Sequence, residues 1–168
     1  LLNLRESQPL QLYGTTKVLD VLQANSVFNV LNSKFVERGA LSLEVPMELS
    51  LPDGSSSGVI IIPFSVPGKV ALWLEGDSKN LDLAAEGEDT IALEVQNANQ
   101  ETQFFYIPGC AKMTPGLSSR ISKAPLVFFD GTLWRDDEMI RSDVGVKTGK
   151  RMGHMSMSGD DGSIAAFE

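Results

Sequence analysis

Residues 41–51 read Leu-Ser-Leu-Glu-Val-Pro-Met-Glu-Leu-Ser-Leu, and the apolar side chains fall at every second place. Leu41, Leu43, Val45, Met47, Leu49 and Leu51 alternate with Ser42, Glu44, Pro46, Glu48 and Ser50. A period of two puts all the apolar side chains on one face of a β-strand. A helix would scatter them around its circumference. The run predicts an antiparallel sheet with one face on a core and one face in water. Pro46 lies on the polar face and cannot donate to a ladder, which marks an edge position or a break.

On the N-terminal side, residues 1–15 contain the breakers Pro9 and Gly14 and predict an extended arm. Thr16 suits the cap of a short helix carrying Val18, Leu19, Val21 and Leu22 on one side. Val27, Phe28, Val30, Leu31 and Phe35 predict a second helix, starting near Ser26 and capped by Gly39. On the C-terminal side, residues 52–58 (Pro-Asp-Gly-Ser-Ser-Ser-Gly) form a turn or loop. Strands are expected at 59–64, 70–75, 81–83, 90–96, 103–107, 126–129 and 131–135, with Pro63 ending the first of them. The stretch between 107 and 126 reads as a loop. From Lys147 onward the chain is rich in Gly, Ser and Met and predicts a flexible tail. The expected organisation is an arm at 1–15, a β-sandwich domain with an N-terminal helix at 16–146, and the tail at 147–168. The fold class expected is mainly β: an antiparallel β-sandwich of jelly-roll type with one or two short N-terminal helices.

Composition narrows the functional classes. The chain has 168 residues, enough for one domain, and its 42% hydrophobic content suits a folded core. The net charge of −8 repels a phosphate backbone, so nucleic acid is expected at most through the tail. One cysteine, Cys110, permits no internal disulfide and excludes a disulfide scaffold. The longest apolar run, 59–62, is far short of a membrane span, and no signal-peptide pattern is visible. The chain begins at Leu1 rather than Met, as a processed product or a part of a longer chain would.

Candidate chemistry is sparse. Residues 54–58 match G-x-S-x-G, but that elbow needs a helix after the serine, and Val59 to Ile62 is strand-like. His154 is the only histidine, too few for a multi-histidine zinc site. As a base it would serve Cys110 or Ser56, although no spacing supports either pairing. Asp136, Asp137 and Glu138, with Asp130 nearby, offer oxygen ligands to a hard cation, but without EF-hand spacing they read as a solvated loop. Lys147, Lys150 and Arg151 form the basic run, and Trp134 beside Arg135 suits an exposed contact. These five are the expected binding residues. No catalytic residue, metal or cofactor is expected, and the chain reads as a non-enzyme.

The segment Ser26-Val27-Phe28-Asn29-Val30-Leu31, then Phe35, Gly39 and Leu41-Ser42-Leu43-Glu44-Val45, resembles a piece of a viral jelly roll. In the coat proteins of plant picorna-like viruses a short helix leads through a glycine into a long alternating strand. The resemblance implies a structural subunit of a viral coat or a virion-associated protein. Its partners would be copies of itself or other coat subunits, with no membrane, in a virion or the host cytoplasm. The alternative is a non-catalytic carbohydrate- or protein-binding β-sandwich module. A third reading is a hydrolase using Cys110 or Ser56 with His154.

Overall fold

The computed structural model describes residues 9–69 and 87–168. The strands expected at 70–75 and 81–83, with Trp73, lie outside them. Among the described residues, seven strands form two sheets. A parallel pair joins β1 (Leu10–Thr15) to β2 (Val36–Leu41). A five-stranded sheet runs in the order β3 (Met47–Ser50), β4 (Ser56–Ser65), β5 (Ile91–Asn97), β6 (Thr102–Ile107) and β7 (Val127–Phe129). Neighbours from β3 to β6 are antiparallel, whereas β6 and β7 are parallel.

The alternating run at 41–51 is two strands, not one. Leu41 ends β2 in the first sheet, and Met47 opens β3 in the second. Between them Glu44 adopts a left-handed backbone with φ 61°, and Val45 N donates to Ser42 O at 3.3 Å. Pro46, unable to donate, follows this turn, so the break falls where the proline allows it. Leu41 is buried, but Val45 and Leu51 are about half exposed, at 52% and 47%. One greasy face across all eleven residues is therefore absent.

The N-terminal helix forms nearly as expected. Helix α1 (Thr16–Ala24) is capped by Thr15, one residue earlier than the sequence suggested; the Thr15 hydroxyl accepts from Val18 N. The second helix does not form. Residues Ser26–Val30 make a short 3-10 turn, and the chain then enters β2. Asn25 and Asn32 account for this: their side chains accept from Val27 N at 3.2 Å and Lys34 N at 3.0 Å, offering the backbone turns in place of a helix. Gly39 is no helix cap. It sits inside β2 opposite Tyr13, where a Cβ would lie 2.6 Å from the Tyr13 ring.

Strand β4 continues through Pro63, which was expected to end it. The Pro63 carbonyl accepts from Glu44 N at 2.8 Å, so the side of the residue lacking an N–H faces the turn beyond the end of β3. No ladder bond is lost there. Residues 131–135 form no strand among the described elements; the short helix α3 (Glu138–Arg141) follows them. The expected loop before β7 contains helix α2 (Pro115–Ile121), with Thr114 as cap and Pro115 in the first turn.

Both parallel pairs enclose a helix: α1 lies between β1 and β2, and α2 between β6 and β7. Parallel neighbours require such crossovers, and a jelly roll is built without them. The architecture is therefore mixed α/β, and the antiparallel sandwich is ruled out. Leu117 and Ile121 of α2 pack on Phe64, Val66, Ala92, Phe105 and Ile107 to form the core. The Phe64 and Phe105 rings meet edge to face at 5.9 Å. At one end of this layer Arg120 of α2 bonds Glu44 at 2.8 Å and Glu94 at 3.4 Å, with its guanidinium 4.0 Å over the Phe64 ring. The opposite sheet face carries Leu93, Val95, Phe104, Tyr106 and Phe128, the last two about half exposed.

Candidate functional site

Parallel β6 and β7 end side by side, and the loops leaving them carry Cys110 and Asp130. In open α/β sheets this carboxyl edge is where ligands bind. Asp130 follows β7 directly and is 3% exposed. A buried carboxylate is costly unless its acceptor sites are filled. Here each oxygen has two donors. Oδ1 accepts from Thr132 N at 3.1 Å and the Thr132 hydroxyl at 2.6 Å. Oδ2 accepts from Cys110 N at 3.1 Å and lies 2.7 Å from His154 Nδ1.

The segment expected to be a tail delivers the histidine. Residues 147–168 carry two short helices, α4 (Gly149–Met152) and α5 (Ser163–Phe167). Thr148 caps α4, and Asp136 anchors its start: the Asp136 carbonyl accepts from Gly149 N at 2.8 Å and its carboxylate from Lys150 N at 2.7 Å. Gly149 is packed so closely that a Cβ would meet Leu133 at 2.6 Å. Gly153, with φ 87°, then turns the chain out of α4. His154 N donates to Gly149 O at 2.9 Å and Met155 N to Cys110 O at 2.7 Å. These bonds fix His154 beside the β6 and β7 loops. Its side chain is 29% exposed, against none for Asp130.

His154 lines an open cleft of about 1350 Å³, with Lys112, Trp134, Arg135, Lys150 and Asp161 among its walls. An ionised carboxylate only accepts, so Nδ1 carries the hydrogen in the pair and Nε2 is left for chemistry. The pair can take or give a proton at Nε2.

Of the residues proposed from sequence, Trp134, Arg135 and Lys150 line the cleft, while Lys147 and Arg151 lie outside its lining. Trp134 is 53% exposed, yet its backbone is held on both sides. Its N–H donates to Glu138 at 2.7 Å, and its carbonyl accepts from Ser158 N at 3.0 Å and Ser158 Oγ at 2.6 Å. The acidic cluster is dispersed into such roles. Asp136 and Glu138 accept backbone N–H groups, and Asp137 faces Arg141 at 3.7 Å. Cys110 is buried, with Sγ 3.2 Å from Lys112 O. Ser56 lies at the hairpin end of β4, bonded to Glu48, and is not among the cleft residues. The partnership of Asp130 with His154, 24 residues apart, was not found from sequence. The one usable signal was Asp130-Gly131 at the end of an aromatic strand.

The whole chain, residues 1–168, matches the family model described as "Beta-lactamase superfamily domain", and the chain belongs to that family. Among its relatives, "Coenzyme PQQ synthesis protein B" of Gluconacetobacter diazotrophicus is 51% identical over 167 residues, covering 99% of this chain and 53% of that protein. The protein of the same name from Bradyrhizobium diazoefficiens is 47% identical over 165 residues, covering 98% and 53%. The crystal structure of Zn(2+)-bound PqqB from Methylobacterium extorquens superposes with a TM-score of 0.85 at 43% identity, covering 99% of this chain and 52% of that one. The chain spans about half the length of the relatives it matches.

These findings overturn the viral reading. The resemblance to a plant picorna-like coat protein rested on a helix-glycine-strand pattern that the structure does not contain. Coat subunits as partners, and a virion or host cytoplasm as location, fall with it, because the matched relatives are bacterial proteins of PQQ synthesis. The β-sandwich binding module fails on the same family match and the mixed architecture. The hydrolase of Cys110 or Ser56 with His154 is not supported either: the matched relatives are proteins of PQQ synthesis, Cys110 is buried with Sγ 3.2 Å from Lys112 O, and Ser56 is not among the cleft residues.

The zinc of the Methylobacterium structure asks for a donor set. A protein zinc site takes at least three protein ligands. Among the described residues no group of three or more His, Cys, Asp and Glu converges to hold a metal. Asp130 and His154 are two, and do not fit zinc by themselves.

Proposed function

We propose that this chain serves coenzyme PQQ synthesis, with the cleft beside β6 and β7 as its small-molecule site and His154, backed by Asp130, as its acid–base group. The names of the relatives support the pathway, and one observation supports the role. The chain's single histidine is paired through Nδ1 at 2.7 Å with a fully buried carboxylate at the carboxyl edge of a parallel strand pair, and it is partly exposed and lines the cleft. Trp134, Arg135 and Lys150 are the proposed ligand contacts: an exposed indole on a fixed backbone, and two cations with no ion pair among the described residues.

The test is complementation of a bacterium deleted for its own homologue, reading PQQ in the medium. The protein is expected to restore production, and His154→Ala to lower it by about 10²–10⁴-fold, as loss of a general acid–base group does. Full production by His154→Ala, expressed at the wild-type level, overturns the role. Failure of the unaltered protein to complement overturns the pathway.

A further inference from the structure

We infer that Thr132 is a positioning residue for His154, acting through Asp130. The inference rests on the reading of His154 as the reacting group. The Asp130 carboxylate is buried and touches His154 with one oxygen only, so the ring's orientation depends on how the carboxylate plane is held. Oδ2 receives the Cys110 amide from the β6 loop. The contacts of Oδ1 both come from Thr132, and the hydroxyl, at 2.6 Å, is closer than the amide at 3.1 Å. Thr132 itself is exposed, and its hydroxyl could be satisfied by water. It turns onto Asp130 instead. Two donors on each oxygen oppose rotation of the carboxylate and hold the acceptor in line with Nδ1. Nε2 is thereby presented to the cleft in one tautomer. Thr132 touches no reacting atom; its effect passes through the carboxylate.

The single histidine makes a direct reading practical. In protein labelled with ¹⁵N-histidine, the His154 ring nitrogens report the tautomer, and the Nδ1 proton reports its exchange with solvent. The wild type is expected to show the Nδ1–H form with slow exchange, and Thr132→Ser to match it, since serine keeps the hydroxyl. Thr132→Val keeps the shape and the amide but loses the hydroxyl, and its Nδ1 proton should exchange at least about threefold faster, the scale of one hydrogen bond. An unchanged Thr132→Val spectrum, or exchange equally fast in the Ser and Val variants, overturns the inference. The spectrum reads positioning whether or not His154→Ala loses PQQ production, so the two failures are distinguishable. Thr132 is at the surface, and the retained fold of both variants is checked by the remaining amide spectrum.

Discussion

Asp130 illustrates how a single side chain organises this site. It has no exposed side-chain surface and gathers the β6 loop, the turn after β7 and the segment after α4 onto one carboxylate. Breaking such a set leaves buried donors unpaired, which costs more than the bond itself contributes. Gly39 is a second residue where identity is dictated by space. Its missing Cβ leaves room for the Tyr13 ring of the neighbouring strand. Gly39→Ala is expected to destabilise the protein by about 1–3 kcal/mol, an overpacking cost, measured by urea unfolding. An unchanged midpoint would show that Tyr13 moves aside without cost. Little of this was legible in the sequence. Gly39 was visible as a special residue, but a glycine that ends a helix and one that yields to a ring look alike in one dimension. Asp130 was read into a solvated loop and His154 into a flexible tail, because burial is a property of the layers around a residue rather than of its neighbours in the chain.

At the scale of elements, the strands at 90–96, 103–107 and 126–129 were legible almost to the residue, because apolar alternation and flanking turns agree there. Helix α2 was not. Its signal was present in Thr114-Pro115, a cap followed by a first-turn proline, but glycine and serines inside the segment imitate a loop. That omission cost the fold class, since α2 is the crossover that makes β6 and β7 parallel. The run at 41–51 misled in the opposite direction: its period survives a turn that transfers the chain between sheets. Phe105 lies where α2 meets the sheet, 4% exposed and edge-on to Phe64. Phe105→Ala should cost about 3–5 kcal/mol in equilibrium unfolding. A loss below about 1 kcal/mol, the size expected at the surface, would contradict the assigned core.

For the whole molecule, Glu94 and Arg120 tie α2 to the sheet and make stability depend on pH. Burial alone would raise the Glu94 carboxyl, but hydrogen bonds from Thr102 and Gln96 and the charge of Arg120 outweigh it and hold the group below its ordinary value of 4.5. A carboxylate lowered on folding stabilises the protein above its unfolded pKa, and that stabilisation is lost as pH falls through the lower, folded value. Glu94→Gln should therefore be less stable than the wild type at pH 7 and lose less stability on acidification below about pH 4.5. Parallel acid-unfolding curves for the two proteins would contradict this. No described helix is long and apolar enough to cross a membrane. At the same scale, the structure matched at 43% identity and the family model over residues 1–168 agree on the fold.

The account depends most on His154 and Asp130 working as one unit. A double-substitution cycle reads this directly, with PQQ production measured for His154→Ala, Asp130→Ala and the pair. Groups that act as a unit give a double variant little worse than the poorer single one. That is the result expected here. Losses that multiply would show that the two residues act independently and would contradict the site.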